Sequence, residues 1–161
     1  MANDTKKILV TIDQDHYTDV YFYVVKDNDD AVEVMRKGMD GYDVTFEDDE
    51  KGNRRISLDC MGYEGGLEKR YTVNGQTFSI PNDHRYVLIH HHAYDGVDFD
   101  VAGTADDIGC AIILKENAIK KYLEEHVVTT EFDYSGQTCF DNGNEWNIFT
   151  LFDVETEREV A

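Results

Sequence analysis

Residues 71–80 read YTVNGQTFSI. An Asn74-Gly75 pair stands between two short alternating stretches, the pattern of a β-hairpin closed by a two-residue type I′ turn. Pro81 and Asn82 punctuate its end, and residues 85–94 (RYVLIHHHAY) then read as a long strand. Residues 97–101 (VDFDV) alternate cleanly enough to put Asp98 and Asp100 in water. Strands joined by such short turns make a mostly antiparallel sheet.

Working outward, residues 7–13 (KILVTID) and 18–26 (TDVYFYVVK) are strand-like, and the second is apolar on both faces, as a central strand is. Residues 30–37 (DAVEVMRK) predict a short helix: Asp30 and Glu33 have capping-box spacing, Arg36 and Lys37 suit its last turn, and Gly38 stops it. Strands are expected over 42–47 and 54–60, joined by the acidic loop 48–53. Residues 109–114 (GCAIIL) read as a buried strand running into a helix over 115–126 (KENAIKKYLEEH), with Ala118, Ile119, Tyr122 and Leu123 on one stripe. The last strands are expected over 131–134 and 146–153, the second apolar on both faces, and the tail 155–161 is expected to fray. The expectation is therefore an α+β fold: a single acidic domain over 1–161, mostly antiparallel β-sheet, two short helices (30–37 and 115–126), and no repeat.

The chain of 161 residues is 41% hydrophobic with one proline, which suits a folded core. Its 34 Asp plus Glu against 15 Lys plus Arg give a net charge of −19. So large an excess costs self-repulsion in the compact state. Solubility or salt adaptation, cation binding, and a surface meant for a basic partner compete to explain it. Direct nucleic-acid binding is excluded, because phosphates require clustered cations and only the pairs Arg54-Arg55 and Lys69-Arg70 offer any. No run of residues is long and apolar enough for a membrane helix, and the N-terminus lacks a signal-peptide core, so a cytoplasmic location is expected. Cys60, Cys110 and Cys139 are odd in number and widely spaced, which reads as buried reduced thiols.

The run His90, His91, His92 is the most distinctive chemical feature. On a strand His90 and His92 share a face with Tyr86 and Leu88, and Asp95, His84 or His126 offers a third ligand. A metal site on His90, His92 and Asp95, in a binding module or a metal-dependent hydrolase, is thus an alternative reading. The order differs from HxHxDH, since the Asp arrives one residue late and no His follows. Calcium spacings at Asp13, Asp15 and Asp19, and at Asp95, Asp98 and Asp100, match only the first two positions of an EF-hand loop or arise from the abundance of Asp. No nucleophile elbow, Walker loop or dinucleotide fingerprint is present, so neither an enzyme nor a cofactor is expected.

Tyr94-Asp95-Gly96, then Asp106 and Gly109, then the step from strand to helix over 111–119, together resemble an uncharacterised bacteriophage protein family with YDHSG and WDSG motifs. The resemblance covers about residues 86–122 and implies a phage or mobile-element origin, hence a host cytoplasm, and no chemistry. With the charge, it leads to one expectation: a non-enzymatic inhibitor that presents carboxylates as a DNA or RNA mimic to a basic, nucleic-acid-binding host protein of the restriction or CRISPR type. The carboxylates expected to do so are Asp95, Asp98, Asp100, Asp106, Asp107, Asp141 and Glu145.

Overall fold

The computed structural model describes residues 5–13, 20–38, 41–93, 97–126, 128, 130–134, 137–141 and 146–160. Eleven strands and two helices are found among them, in an α+β arrangement with antiparallel pairing at every ladder whose register is resolved. They gather into two compact units, one of them Lys6–Ser79 and the other centred on Ile80–Ala161.

The first unit runs β1 (Thr5–Asp13), β2 (Val20–Val25), α1 (Asn28–Gly38), β3 (Gly41–Asp48), β4 (Arg54–Glu64) and β5 (Leu67–Pro81), with sheet order β2-β1-β5-β4-β3. The second runs β6 (Tyr86–Ala93), β7 (Val97–Ala105), α2 (Ile108–Glu125), β8 (Thr130–Tyr134), β9 (Gln137–Asp141) and β10 (Trp146–Asp153), with order β7-β6-β10-β9-β8; β11 (Arg158–Glu159) adds to β10. Number the strands within each unit and both orders read 2-1-5-4-3. The chain therefore contains one ββαβββ topology twice, a repeat that residue-by-residue reading does not reveal.

The Asn74-Gly75 pair is not a turn. β5 passes straight through it, with Gly75 opposite Ile56 and Asn74 opposite Ser57. Glycine is required there by packing: a Cβ on Gly75 would lie 2.6 Å from Met35 Sδ of α1. The tight turn is instead Gly65-Gly66 between β4 and β5, where both φ angles are positive, 59° and 81°, as type I′ demands. β2, expected in the centre, ends its sheet, and it leaves Tyr21 55% and Val24 38% exposed.

Both helices begin before their expected starts, α1 by two residues and α2 by about two turns, because each is capped by an earlier aspartate. Asp27 Oδ1 accepts from Asp30 N at 2.7 Å, and Asp30 reaches back to Lys26 N at 2.8 Å. Asp107 Oδ1 accepts from Cys110 N at 2.8 Å. Four residues after each cap stands a fully buried alanine, Ala31 and Ala111, small enough to let the helix close onto its sheet. The first core joins Leu9, Ile56, Leu58 and Val73 to Ala31, Val32 and Met35. The second joins Leu88, Phe140, Phe149 and Leu151 to Ala111 and Tyr122. Complete burial of one such leucine contributes roughly 1.5–3 kcal/mol.

Residues 109–114 are the first turns of α2 rather than a buried strand, because the Asp107 cap turns the backbone helical before the apolar run begins. In the described part of the tail, Arg158 and Glu159 pair with Asp153 and Phe152, Val154 N donates to Arg85 O at 2.8 Å, and Arg85 clamps Asp153 with two hydrogen bonds of 2.9 and 2.8 Å.

Candidate functional site

β6 pairs with β10, a mostly apolar strand whose buried polar residues are Asn147, Thr150 and Asp153. Asn147 is fully buried and stands opposite His92. Its Nδ2 donates to Tyr122 Oη at 2.6 Å, and its Oδ1 lies 2.8 Å from His90 Nε2. An amide oxygen only accepts, so His90 Nε2 carries the proton. The His90 ring stacks on Phe149, centroids 4.3 Å apart, and Tyr122 stacks on His126 at the same separation. His126 also ends α2, its N–H bonded to Tyr122 O at 3.0 Å. A polar line thus runs from β6 through β10 into the last turn of α2.

The other two histidines of the run diverge. His91 faces the opposite side, buried to 1% exposure, with its ring 6.2 Å from that of Phe99. His92 shares the face of His90, ring centroids 5.3 Å apart, and its Nε2 is 3.6 Å from Asp100 Oδ2 on β7. The pairings His92 with Asp98 and His90 with Asp100 place both aspartates beside the imidazoles. Asp100 is exposed as expected, whereas Asp98 is half-buried.

The expected acidic residues fall at two ends of the second sheet. Asp98 and Asp100 lie near the end where Trp146 pairs with Asp141 and with Ala93. Asp106 and Asp107, both exposed, lie past the far end of β7, where α2 starts. Residues 101–105 (VAGTA) between them carry no acid and span roughly 20 Å of strand, so these carboxylates form two separate groups rather than one spot. Asp95 and Glu145 lie outside the described residues, as does the side chain of Asp141.

No family model, curated protein or solved structure matches this chain. Tyr94-Asp95-Gly96 lies outside the described residues, and residues 111–119 are helical throughout, so the step from strand to helix falls earlier, at Asp106 and Asp107.

Among the described residues the one group of three that brings ligand atoms within 4.8 Å is Asp106, Asp107 and Cys110, all exposed. Its geometry is that of a helix cap. The amide of Cys110 holds the Asp107 carboxyl below its usual range, while the Asp107 carboxylate pushes the Cys110 thiol up, keeping it protonated. Exposed Cys110 departs from the expected buried thiol; Cys139 is buried. The side chains of Cys60 and Asp13, and all of Asp15 and Asp19, lie outside the described ones.

In the first unit a groove of about 300 Å³ opens beside α1 and is lined by Val32, Val44, Phe46 and Arg54 among others. Arg54 is already engaged: it bonds Asp48 at 2.6 Å and Asp29 at 2.8 Å, and its guanidinium sits 4.0 Å above the Phe46 ring. This pins the start of α1 to β4 and uses one half of the Arg54-Arg55 pair. The Asn147 line was not foreseen; its trace in the sequence is one Asn within the apolar run WNIFTLF.

Proposed function

We propose that this chain is a non-enzymatic binding protein whose carboxylates, along β7 and at the start of α2, engage a basic partner that itself binds nucleic acid, and inhibit it by standing in for phosphates. One observation carries the reading. Residues 86–114 contain Asp95, Asp98, Asp100, Asp106 and Asp107 and not one Lys or Arg, and Asp100, Asp106 and Asp107 are exposed. A cationic surface made for phosphates would meet charge there that the segment itself does not neutralise, and the field of the whole chain steers such an encounter. More widely, every described Asp and Glu side chain is exposed except Asp30, Asp98 and Asp153.

The test is capture of partners from bacterial lysate on immobilised protein, eluted by rising salt. Retention of a DNA- or RNA-binding protein, lost in a variant with Asp98, Asp100 and Asp106 changed to Asn, supports the reading; retention of none at low salt removes it. A second reading, a metal module on His90, His92 and Asp95, draws on the two imidazoles sharing one face. His90 would have to offer Nδ1, since Nε2 donates to Asn147. Elemental analysis of untagged protein separates the two: stoichiometric zinc or manganese lost in His92→Ala favours the metal, and substoichiometric metal removes it.

A further inference from the structure

β3 and β7 each end a sheet and each carry acid, yet the residues across their ladders differ. On β3, Glu47 and Asp48 stand opposite Arg55 and Arg54 of β4, and Asp48 bonds Arg54 at 2.6 Å, so cations of the same sheet face them. On β7, Asp98 and Asp100 stand opposite His92 and His90 of β6, and residues 86–114 hold neither Lys nor Arg. His92 Nε2 lies 3.6 Å from Asp100 Oδ2, a contact that cancels charge only when the imidazole is protonated. α2 packs over β6, β7 and β10 and adds no net charge there, since Lys115, Lys120 and Lys121 balance Glu116, Glu124 and Glu125.

Among the described residues β6 is the one strand paired with β7, so the ladder uses one edge of β7 and leaves the other directed away from the sheet. Side chains alternate along it: Asp98 and Asp100 share the face of His92 and His90, while Phe99, 3% exposed, points the other way. A strand laid along the outer edge would bring its own residues opposite Asp98 and Asp100, with Cβ atoms about 4.5–5.5 Å away, which is within reach of an ion pair. The residue between them would fall on the apolar face of Phe99. The β7 of a second copy would instead set aspartates against aspartates on a chain of net charge −19, and the two would repel.

We propose that the outer edge of β7 takes up an extended cationic segment of the partner as an added strand, with Lys or Arg at two alternate positions opposite Asp98 and Asp100 and an apolar residue between them. This rests on the basic-partner reading above and names how the partner is held. Main-chain hydrogen bonds supply the affinity and the two carboxylates select the sequence, the division of roles in strand addition.

The experiment measures fluorescence anisotropy of a labelled Lys-Val-Lys-Val-Lys peptide and of its analogue methylated on every backbone nitrogen, which keeps the charge but has no amide proton to donate. The wild-type chain is expected to bind the unmethylated peptide at least about tenfold more tightly than the analogue. The double variant Asp98→Asn, Asp100→Asn, with unchanged circular dichroism, is expected to weaken binding of the unmethylated peptide by at least about tenfold. Equal affinity of the wild-type chain for the two peptides overturns strand addition and leaves the basic-partner reading standing. A preference for the unmethylated peptide that the double variant leaves unmoved assigns the added strand to another edge and overturns the proposal. Binding of neither peptide at low salt overturns both.

Discussion

Substituting Gly75 by Ala tests whether β5 runs straight beneath α1. The new Cβ would lie 2.6 Å from Met35 Sδ, 3.1 Å from Met35 Cε and 3.2 Å from Leu9 Cδ1. Ordinary contact is about 3.5–4.0 Å, so the thioether must withdraw by about an ångström. It has little room, since Met35 is 2% exposed and Leu9 fully buried. Overpacking of this kind costs about 1–3 kcal/mol. Replacing glycine within a strand returns about 0.5–1 kcal/mol of backbone entropy. The net expectation is destabilisation centred on about 1 kcal/mol, between about 0 and 2.5 kcal/mol, read as a lower urea midpoint at unchanged slope. Met35→Ala alone should cost about 2–5 kcal/mol by the cavity it leaves. In the double variant the added methyl occupies vacated space, so its cost should disappear, giving a coupling of at least about 1 kcal/mol. Strict additivity with Met35→Ala would refute the reasoning; it is what a Gly75 held in a positive-φ turn would give.

Asn147→Ala should cost about 1–3 kcal/mol, because it removes the hydrogen bonds to Tyr122 Oη and His90 Nε2, and thermal unfolding checks it. The Arg85 guanidinium holds the Asp153 carboxyl below the usual carboxylate range. The stability it supplies is therefore present above about pH 3.9, the unfolded value, and is lost as pH falls through the lower folded value. Asp153→Asn should lower the neutral-pH urea midpoint and flatten its acid dependence; an unchanged acid slope would count against the pair. Asp107→Asn removes the carboxylate that keeps the Cys110 thiol protonated, so Ellman's reagent should react faster with Cys110 while buried Cys139 stays silent until unfolding. Equal reaction rates in wild type and variant would sink that account.

Legibility in the sequence followed the range of the determining interaction. The α+β class and the β10 strand were readable because period-two patterns and local composition dictate them. Gly75 was misread because its neighbour, Met35, lies forty residues away in the chain, beyond the reach of a local pattern. The start of α2 was missed because GCAIIL suits a buried strand by composition, and the Asp107 cap outweighs that preference. The duplicated topology left no trace because the two units share positions in space and few side chains: Ala31 and Ala111 match, but Met35 against β5 and Leu114 against Gly103 solve the packing differently. In the site, alternation placed His90 and His92 on one face of β6 with Leu88, whereas their pairing with Asp98 and Asp100 is a strand-to-strand contact that alternation alone does not give. The Asn147 partner required knowledge of which strand lies beside β6.

Terminal strands offer unpaired backbone to any neighbouring chain. β3 carries Asp43, Glu47 and Asp48, β7 carries Asp98 and Asp100, and β8 carries Glu131 and Asp133. β2, VYFYVV, carries no charge at all. Short, uncharged, β-branched and aromatic segments without proline are those that stack into fibrils. Aspartate and glutamate on three rims thus guard against ladder growth, and if the folded state fails, fibril formation should begin at Val20–Val25.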